Sequence, residues 1–178
     1  MRLFFKGPGR PKLRAAPGVK RAVKITRRQK VEIVVLVPTS RFGMVEVNPA
    51  EILTFAQGIP AFEGLRQFFF YPIPDNPAFT WLQAVSDPEV AFLLVDPFLF
   101  FPGYEVEIPD SLQRELEIKD AADVLVLAVV TVPDGDVRRM TANLVAPMVI
   151  NRTARLGRQF IMEGTRYTTR HPLFRDKG

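Results

Sequence analysis

Few side chains in this sequence are suited to catalysis. His171 is the only histidine, and the 178 residues include no cysteine. A catalytic or zinc-binding histidine needs partner side chains, and the serines and threonines are scattered without a Gly-x-Ser-x-Gly elbow. We therefore predict that the protein is not an enzyme and has neither a cofactor nor a metal site. His171, next to Pro172, is expected to close the C-terminal segment structurally.

Two acidic residues and a run of aromatic residues are better candidates, for binding partners. Glu105 and Glu107 alternate along the chain and would share one face of a strand. They form either an ordinary solvated face or an acidic stripe for a basic partner. Before them, the candidate site residues are Asp96, Phe98, Phe100, Phe101 and Tyr104. These aromatic rings either fill the core or form an exposed patch for an amphipathic helix, and we expect some of each.

Short strands separated by turns must position these residues. The 16 prolines and 15 phenylalanines favour such strands over long helices. Residues 124–132 are expected to form the most buried strand, because they are a continuous apolar run. The other predicted strands are 33–37, 44–47, 52–55, 68–71, 79–85, 91–95, 141–151 and 158–162.

One short helix completes the predicted architecture. Asp110 can cap it, Gln113 follows three residues later, and the helix should end near Ile118. Pro147 lies inside the predicted strand 141–151 and indicates a sheet edge or a bulge there. The fold class is therefore mostly β: a small antiparallel β-barrel-like or sandwich domain with one short helix.

The charge is divided unevenly along the chain. Residues 1–30 contain 11 of the 24 lysines and arginines and none of the 19 acidic residues, so the remainder has a net charge of −6. We predict a basic, disordered arm at residues 1–34, a folded domain at 35–174 and a tail at 175–178. The arm makes a small RNA-binding β-barrel the alternative function, although the acidic domain argues against phosphate binding.

A set of short motifs spread over residues 35–174 is the most specific feature of the sequence. The motifs are Phe42-Gly43, Ile52-Leu53-Thr54-Phe55, Gly58-Ile59-Pro60, Trp81-Leu82-Gln83, Asp87-Pro88, Val95-Asp96-Pro97-Phe98, Thr141-Ala142-Asn143-Leu144, Ala146-Pro147, Asn151, Gly157 and the segment Tyr167-Thr168-Thr169-Arg170-His171-Pro172-Leu173. In this order and spacing they resemble the flagellar assembly factor family FliW.

This resemblance implies a β-barrel-like fold and two protein partners, flagellin and the translational repressor CsrA. In the family, FliW that is bound to flagellin is silent, whereas FliW freed by flagellin export binds CsrA and relieves repression of flagellin translation. The aromatic residues would then suit a helical segment of flagellin. The two glutamates would suit CsrA, because an RNA-binding protein presents basic surface.

The resemblance also sets expectations for the rest of the protein. We expect a cytoplasmic protein that is monomeric when free and binds neither membranes nor nucleic acid directly. The longest apolar run is shorter than the ~20 residues that span a bilayer. The family usually begins near Val35, so residues 1–34 are either an extension or an upstream stretch included by a mis-assigned start codon.

Overall fold

The computed structural model describes residues 20–25 and 31–174 of the chain. Short strands dominate this part, together with two α-helices and four 3-10 turns. The strands are β1 (Lys20–Ile25), β2 (Val31–Thr39), β3 (Gly43–Val47), β4 (Leu53–Thr54), β5 (Gln67–Pro72), β6 (Phe79–Ala84), β7 (Ala91–Val95), β8 (Val124–Thr131), β9 (Thr141–Asn151), β10 (Leu156–Gln159) and β11 (His171–Pro172). The helices are α1 (Pro97–Phe100) and α2 (Asp110–Glu115).

Seven of these strands close into a barrel. The order is β10-β4-β5-β6-β7-β8-β9, and pairing of β9 with β10 completes the ring. Every neighbouring pair is antiparallel except β10 and β4, which are parallel. The barrel interior is filled by one cluster of buried side chains: Leu53, Phe55, Ile59, Phe68, Leu82, Ala84, Leu94, Leu127, Met148 and Ile150. The predicted β-barrel-like fold is thereby confirmed.

Three separate segments cover the outside of the barrel. The sheet β1-β2-β3 packs Val35 and Val37 against Phe69 and Val85. Helix α2 packs against Val149 of β9. Residues 100–106, together with residues after 162, cover β6 to β9, which explains why the alternate side chains of β6 and β7 are buried on both faces.

Pro147 lies at the bulge that the sequence predicts. Between the pairs Leu127↔Met148 and Val129↔Asn143, β9 has four residues opposite a single residue of β8. A proline is tolerated there because the regular ladder is interrupted. The prediction that 124–132 is the most buried strand is wrong, since several residues of β8 are only partly buried whereas residues 146–151 of β9 are all buried.

Several sequence predictions differ from the structure in their details. The described residues contain two α-helices rather than one, and α2 begins after Pro109, which makes Asp110 its first residue instead of its cap. That helix ends at Glu115, earlier than expected. Its cap residue, Pro109, has no side chain that can accept a hydrogen bond. The side-chain amide of Gln113 donates to the backbone oxygen of Ile108 at 2.8 Å.

Two stretches of the predicted arm are strands in the structure. Lys20–Ile25 forms β1, which pairs antiparallel with residues 31–36, and β2 begins at Val31. β1 lies at the edge of the three-stranded sheet, where charged residues are common. Residues 1–19, 26–30 and the predicted tail lie outside the described residues.

Among the described residues, no helix is long and apolar enough to cross a membrane.

Candidate partner-binding surfaces

Helix α1 presents two apolar side chains to solvent. Asp96 caps the helix, accepting a hydrogen bond from the backbone N–H of Phe98 at 2.9 Å, and Pro97 occupies the first helical position. This cap followed by proline is a favourable helix start, although the helix has only one turn. The turn leaves Phe98 50% and Leu99 66% exposed.

The other predicted aromatic residues turn inward to different degrees. Phe100 contacts the rings of Phe79 and Phe174, with centroids 5.6 and 6.3 Å away, and is half-buried. Phe101 is also half-buried and lies 5.9 Å from the ring of His171. The predicted aromatic residues are therefore divided between the core and the surface. We call the exposed part the α1 patch; it consists of Phe98, Leu99 and Phe174, which lies beside Phe100.

Tyr104 belongs to the core. It is 5% exposed, and its hydroxyl donates a hydrogen bond to the backbone oxygen of Leu144 at 2.8 Å. Burial, reinforced by the nearby Tyr167, raises the pKa of Tyr104 well above its ordinary value, because a buried phenolate would lose its hydration. This residue positions the segment that follows it and offers no surface to a partner.

Tyr167 and His171 fix the same region from the C-terminal side. The hydroxyl of Tyr167 donates to the oxygen of Gly103 at 3.1 Å and accepts from the N–H of Glu105 at 3.0 Å. Nε2 of His171 accepts from the N–H of Thr168 at 2.8 Å, and β11, which contains His171, pairs with β9. The predicted structural role of His171 is confirmed.

Glu105 and Glu107 are exposed on the same side of an extended segment. They are not in a strand, contrary to the prediction, because the backbone of 104–108 joins no ladder. Their alternation with the more buried Tyr104, Val106 and Ile108 nevertheless directs both carboxylates outward.

The two carboxylates border a surface depression that we call the acidic groove. Its cationic lining residue is Arg166, whose guanidinium lies over the Tyr167 ring and donates to the oxygen of Gly103. No salt bridge among the described residues involves its glutamates. The groove therefore has excess negative charge beside apolar surface. Its lining residues are Glu105, Glu107, Pro109, Phe160, Ile161, Met162, Glu163, Thr165, Arg166 and Tyr167.

Sequence reasoning missed several exposed residues of these surfaces. Leu99 is adjacent to the predicted aromatic residues but is not among the predicted site residues. Ile161 is 60% exposed and Phe174 is 47% exposed. An apolar residue at a strand end gives no sequence signal of exposure, since exposure depends on where neighbouring segments stop.

The described residues offer no site for a metal ion. No group of three or more His, Asp or Glu side chains in this part of the chain is close enough to coordinate one.

Comparison with known proteins decides the family. The FliW protein family matches residues 23–173. The chain belongs to the FliW family of flagellar assembly factors. The family match begins within β1, before the boundary at residue 35 that the motifs indicated.

Individual FliW proteins are similar over most of the chain. The flagellar assembly factor FliW of Moorella thermoacetica is 71% identical over 140 residues, which is 79% of this chain and 89% of the relative. That of Alkaliphilus metalliredigens is 39% identical over 142 residues, covering 79% of this chain and 87% of the relative. A crystal structure of the flagellar assembly factor FliW is 38% identical, with a TM-score of 0.76, and the alignment covers 80% of this chain and 99% of that chain.

Proposed function

We propose that this protein binds flagellin and, once released from it, binds and antagonises the translational repressor CsrA. Flagellin synthesis would then rise when flagellin leaves the cell, because export frees the protein for CsrA. Such an exchange takes place in the cytoplasm and needs no catalysis. The observation that carries the proposal is the family match over the whole barrel, residues 23–173.

The α1 patch is the proposed flagellin surface. Phe98 and Leu99 are adjacent in the chain, and they are 50% and 66% exposed. Exposed aromatic and aliphatic residues on a rigid turn suit the apolar face of an amphipathic helix. The Asp96 cap and the Phe100 contacts make this turn rigid before a partner arrives, so little ordering entropy is lost on binding.

The acidic groove is the proposed CsrA surface. Its carboxylates Glu105, Glu107 and Glu163 face a single lining cation, Arg166. A protein that binds RNA presents positive potential, which attracts and orients a negative surface. The groove also lies next to the α1 patch, since the ring of Phe98 is 5.6 Å from that of Tyr104, which is 4.8 Å from the ring of the groove residue Tyr167. Partners at adjacent surfaces would exclude one another by steric overlap, which is what an exchange mechanism requires.

Charge reversal tests the assignment of the groove. Glu105→Lys with Glu107→Lys should weaken CsrA binding at least tenfold, because like charges across an interface cost several kcal/mol. The loss should shrink as salt rises from about 0.01 to 0.1 M, where the screening length falls from about 30 to 10 Å. Titration calorimetry with purified CsrA measures both effects. Flagellin affinity should be retained by this variant.

A matched control separates local charge from net charge. Glu51→Lys with Glu117→Lys makes the same change in net charge at two exposed glutamates outside the groove lining. It should bind CsrA as the unaltered protein does. Equal CsrA affinities of all three proteins would refute the groove assignment, and the absence of any heat with both flagellin and CsrA would refute the proposed function.

A further inference from the structure

The chain continues as an extended segment beyond the end of β10. The N–H of Phe160 donates to the oxygen of Pro147, and the N–H of Met162 donates to the oxygen of Val145, both at 2.9 Å. Residues 160 and 162 therefore direct their backbone groups toward β9. In an antiparallel ladder these directions alternate, so the N–H and C=O of Ile161 point to the opposite side.

That opposite side is an open strand edge. β4 pairs with β10 at a single position, Leu156↔Thr54, and then turns away, with the N–H of Phe55 donating to the oxygen of Arg66. No hydrogen bond among the described residues uses the backbone N–H or C=O of Ile161. A strand edge with unpaired backbone groups is a template for another strand.

Space for an added strand exists on both sides of this edge. Ile161 lines the acidic groove and also a second depression bordered by Gln57, Gly58, Pro60 and Glu63. Side chains of an added strand alternate between its two faces. One face would therefore meet the carboxylates of the groove, and the other would meet the exposed side of Ile161.

We propose that the Ile161 edge binds an extended segment of another protein as an added β-strand, with lysine or arginine alternating with apolar residues. The charge of the groove selects the basic face, because three carboxylates there are opposed by one cation, Arg166. The exposed Ile161 side chain selects the apolar face. This inference defines a mode of binding and does not depend on flagellin or CsrA being the partners.

A random library of displayed 12-residue peptides, selected on the full chain, provides the probe. The selected peptides should alternate basic and apolar residues. Their affinity should fall roughly tenfold in Ile161→Pro, because proline removes the N–H of residue 161, which points away from β9, and leaves the existing ladder bonds in place. The control Ile161→Val keeps both the N–H and an apolar side chain and should bind as the unaltered chain does.

Hydrogen exchange on the unaltered chain tests the edge without any substitution. A bound peptide should slow exchange at the Ile161 amide and leave the Met162 amide, already bonded to Val145, unchanged. Any one of four outcomes would overturn the proposal. The library could yield no peptide, or the selected peptides could lack lysine and arginine. The peptides could bind Ile161→Pro as tightly as the unaltered chain, or they could leave exchange at the Ile161 amide unchanged. A dimer that Ile161→Pro dissociates would show that the occupant is a second copy of the chain and would also overturn it.

These outcomes are separate from those that test the proposed function. The library contains neither flagellin nor CsrA, so a chain that binds neither protein can still show strand addition at Ile161. Conversely, binding of both proteins with full affinity by Ile161→Pro would support the proposed function and exclude this edge from it.

Discussion

Tyr104 is the candidate site residue that the fold withdraws from solvent. Its hydroxyl donates to Leu144 across a separation of 40 residues in sequence. Replacement by phenylalanine keeps the ring and removes this hydrogen bond, which leaves the Leu144 oxygen without that donor. We expect Tyr104→Phe to lower the free energy of unfolding at pH 7 by about 1–2 kcal/mol. Urea denaturation measures the change, and an unaltered midpoint would contradict it.

The raised pKa of Tyr104 also predicts how the free energy of unfolding changes at alkaline pH. Because the folded state raises the pKa of Tyr104, the unfolded chain ionises this group first, near its ordinary value of about 10. Above that pH the folded state binds more protons, so the free energy of unfolding should fall by up to about 1.4 kcal/mol per pH unit from this group. Tyr104→Phe should show a correspondingly shallower fall between about pH 10 and 11.5. If the free energy of unfolding fell equally steeply with pH in both proteins, the raised pKa of Tyr104 would be contradicted.

Gly157 is required by close packing rather than by backbone conformation. A Cβ there would lie 2.5 Å from Cζ of Phe55, whose ring fills the barrel interior. Gly157→Ala should therefore lower the free energy of unfolding by about 1–3 kcal/mol, since a rigid buried ring must move. Gly64→Ala is the control, because its Cβ would meet nothing within 4 Å. Equal thermal midpoints of the two variants would show that the ring moves at no cost.

At the residue scale, the sequence indicated a stretch that contains exposed side chains, but not which of its residues are exposed. The stretch 96–107 does contain an exposed apolar turn and two exposed glutamates. Phe98 and Tyr104 looked equivalent, yet one is half-exposed and the other is buried under residues that lie some 40 and 60 positions further along the chain. Burial set by such distant contacts cannot be read from local composition.

Asn151 connects helix α2 to the turn between β9 and β10. Its Nδ2 donates to the oxygens of Leu116 and Glu117, and its Oδ1 accepts from the N–H groups of Thr153 and Ala154. Asn151→Ala should cost about 2–4 kcal/mol of stability because several largely buried backbone groups lose their partner at once. Hydrogen exchange should show α2 opening more often than the barrel strands.

A second asparagine provides the control for this substitution. The side chain of Asn76 is exposed, and no hydrogen bond of the described residues uses it. Asn76→Ala should leave both the unfolding midpoint and the exchange of α2 unchanged. An Asn151→Ala variant with the stability of Asn76→Ala would mean that water replaces the lost partners.

At the element scale, periodicity located the long strands and missed the short elements. Strands such as β6 and β7 have enough alternating apolar residues to be recognised. Helix α1 has four residues and β11 has two, so neither reaches the length at which a period is visible. The basic composition of β1 concealed its strand character, which its backbone pairing with β2 shows.

The whole barrel should fold without the N-terminal residues. Its seven strands all follow residue 52, and Val35 and Val37 remain to cover Phe69 and Val85 in a chain that starts at Val35. We expect that chain to keep one cooperative thermal transition, within roughly 5 °C of the full chain. Circular dichroism measures both. Loss of the single transition would show that residues 1–34 are part of the folding unit.

A longer truncation is the matched contrast. A chain that starts at Asn48 lacks β2 and β3 as well, which uncovers Phe69 and Val85 on the outside of β5 and β6. Exposing these two apolar side chains to water costs about 1.5–3 kcal/mol for each of them. We therefore expect this chain to aggregate or to unfold at a clearly lower temperature.

The parallel seam between β4 and β10 has a consequence for how the protein is made. The seam joins Thr54 to Leu156, residues about a hundred positions apart, and the N–H of Thr54 donates to Arg155 at 2.8 Å. Contacts between such distant residues form slowly, because a long loop must be ordered first. During translation the ring cannot close until β10 has left the ribosome. A chain whose synthesis stops before residue 156 therefore lacks the strand that closes the ring.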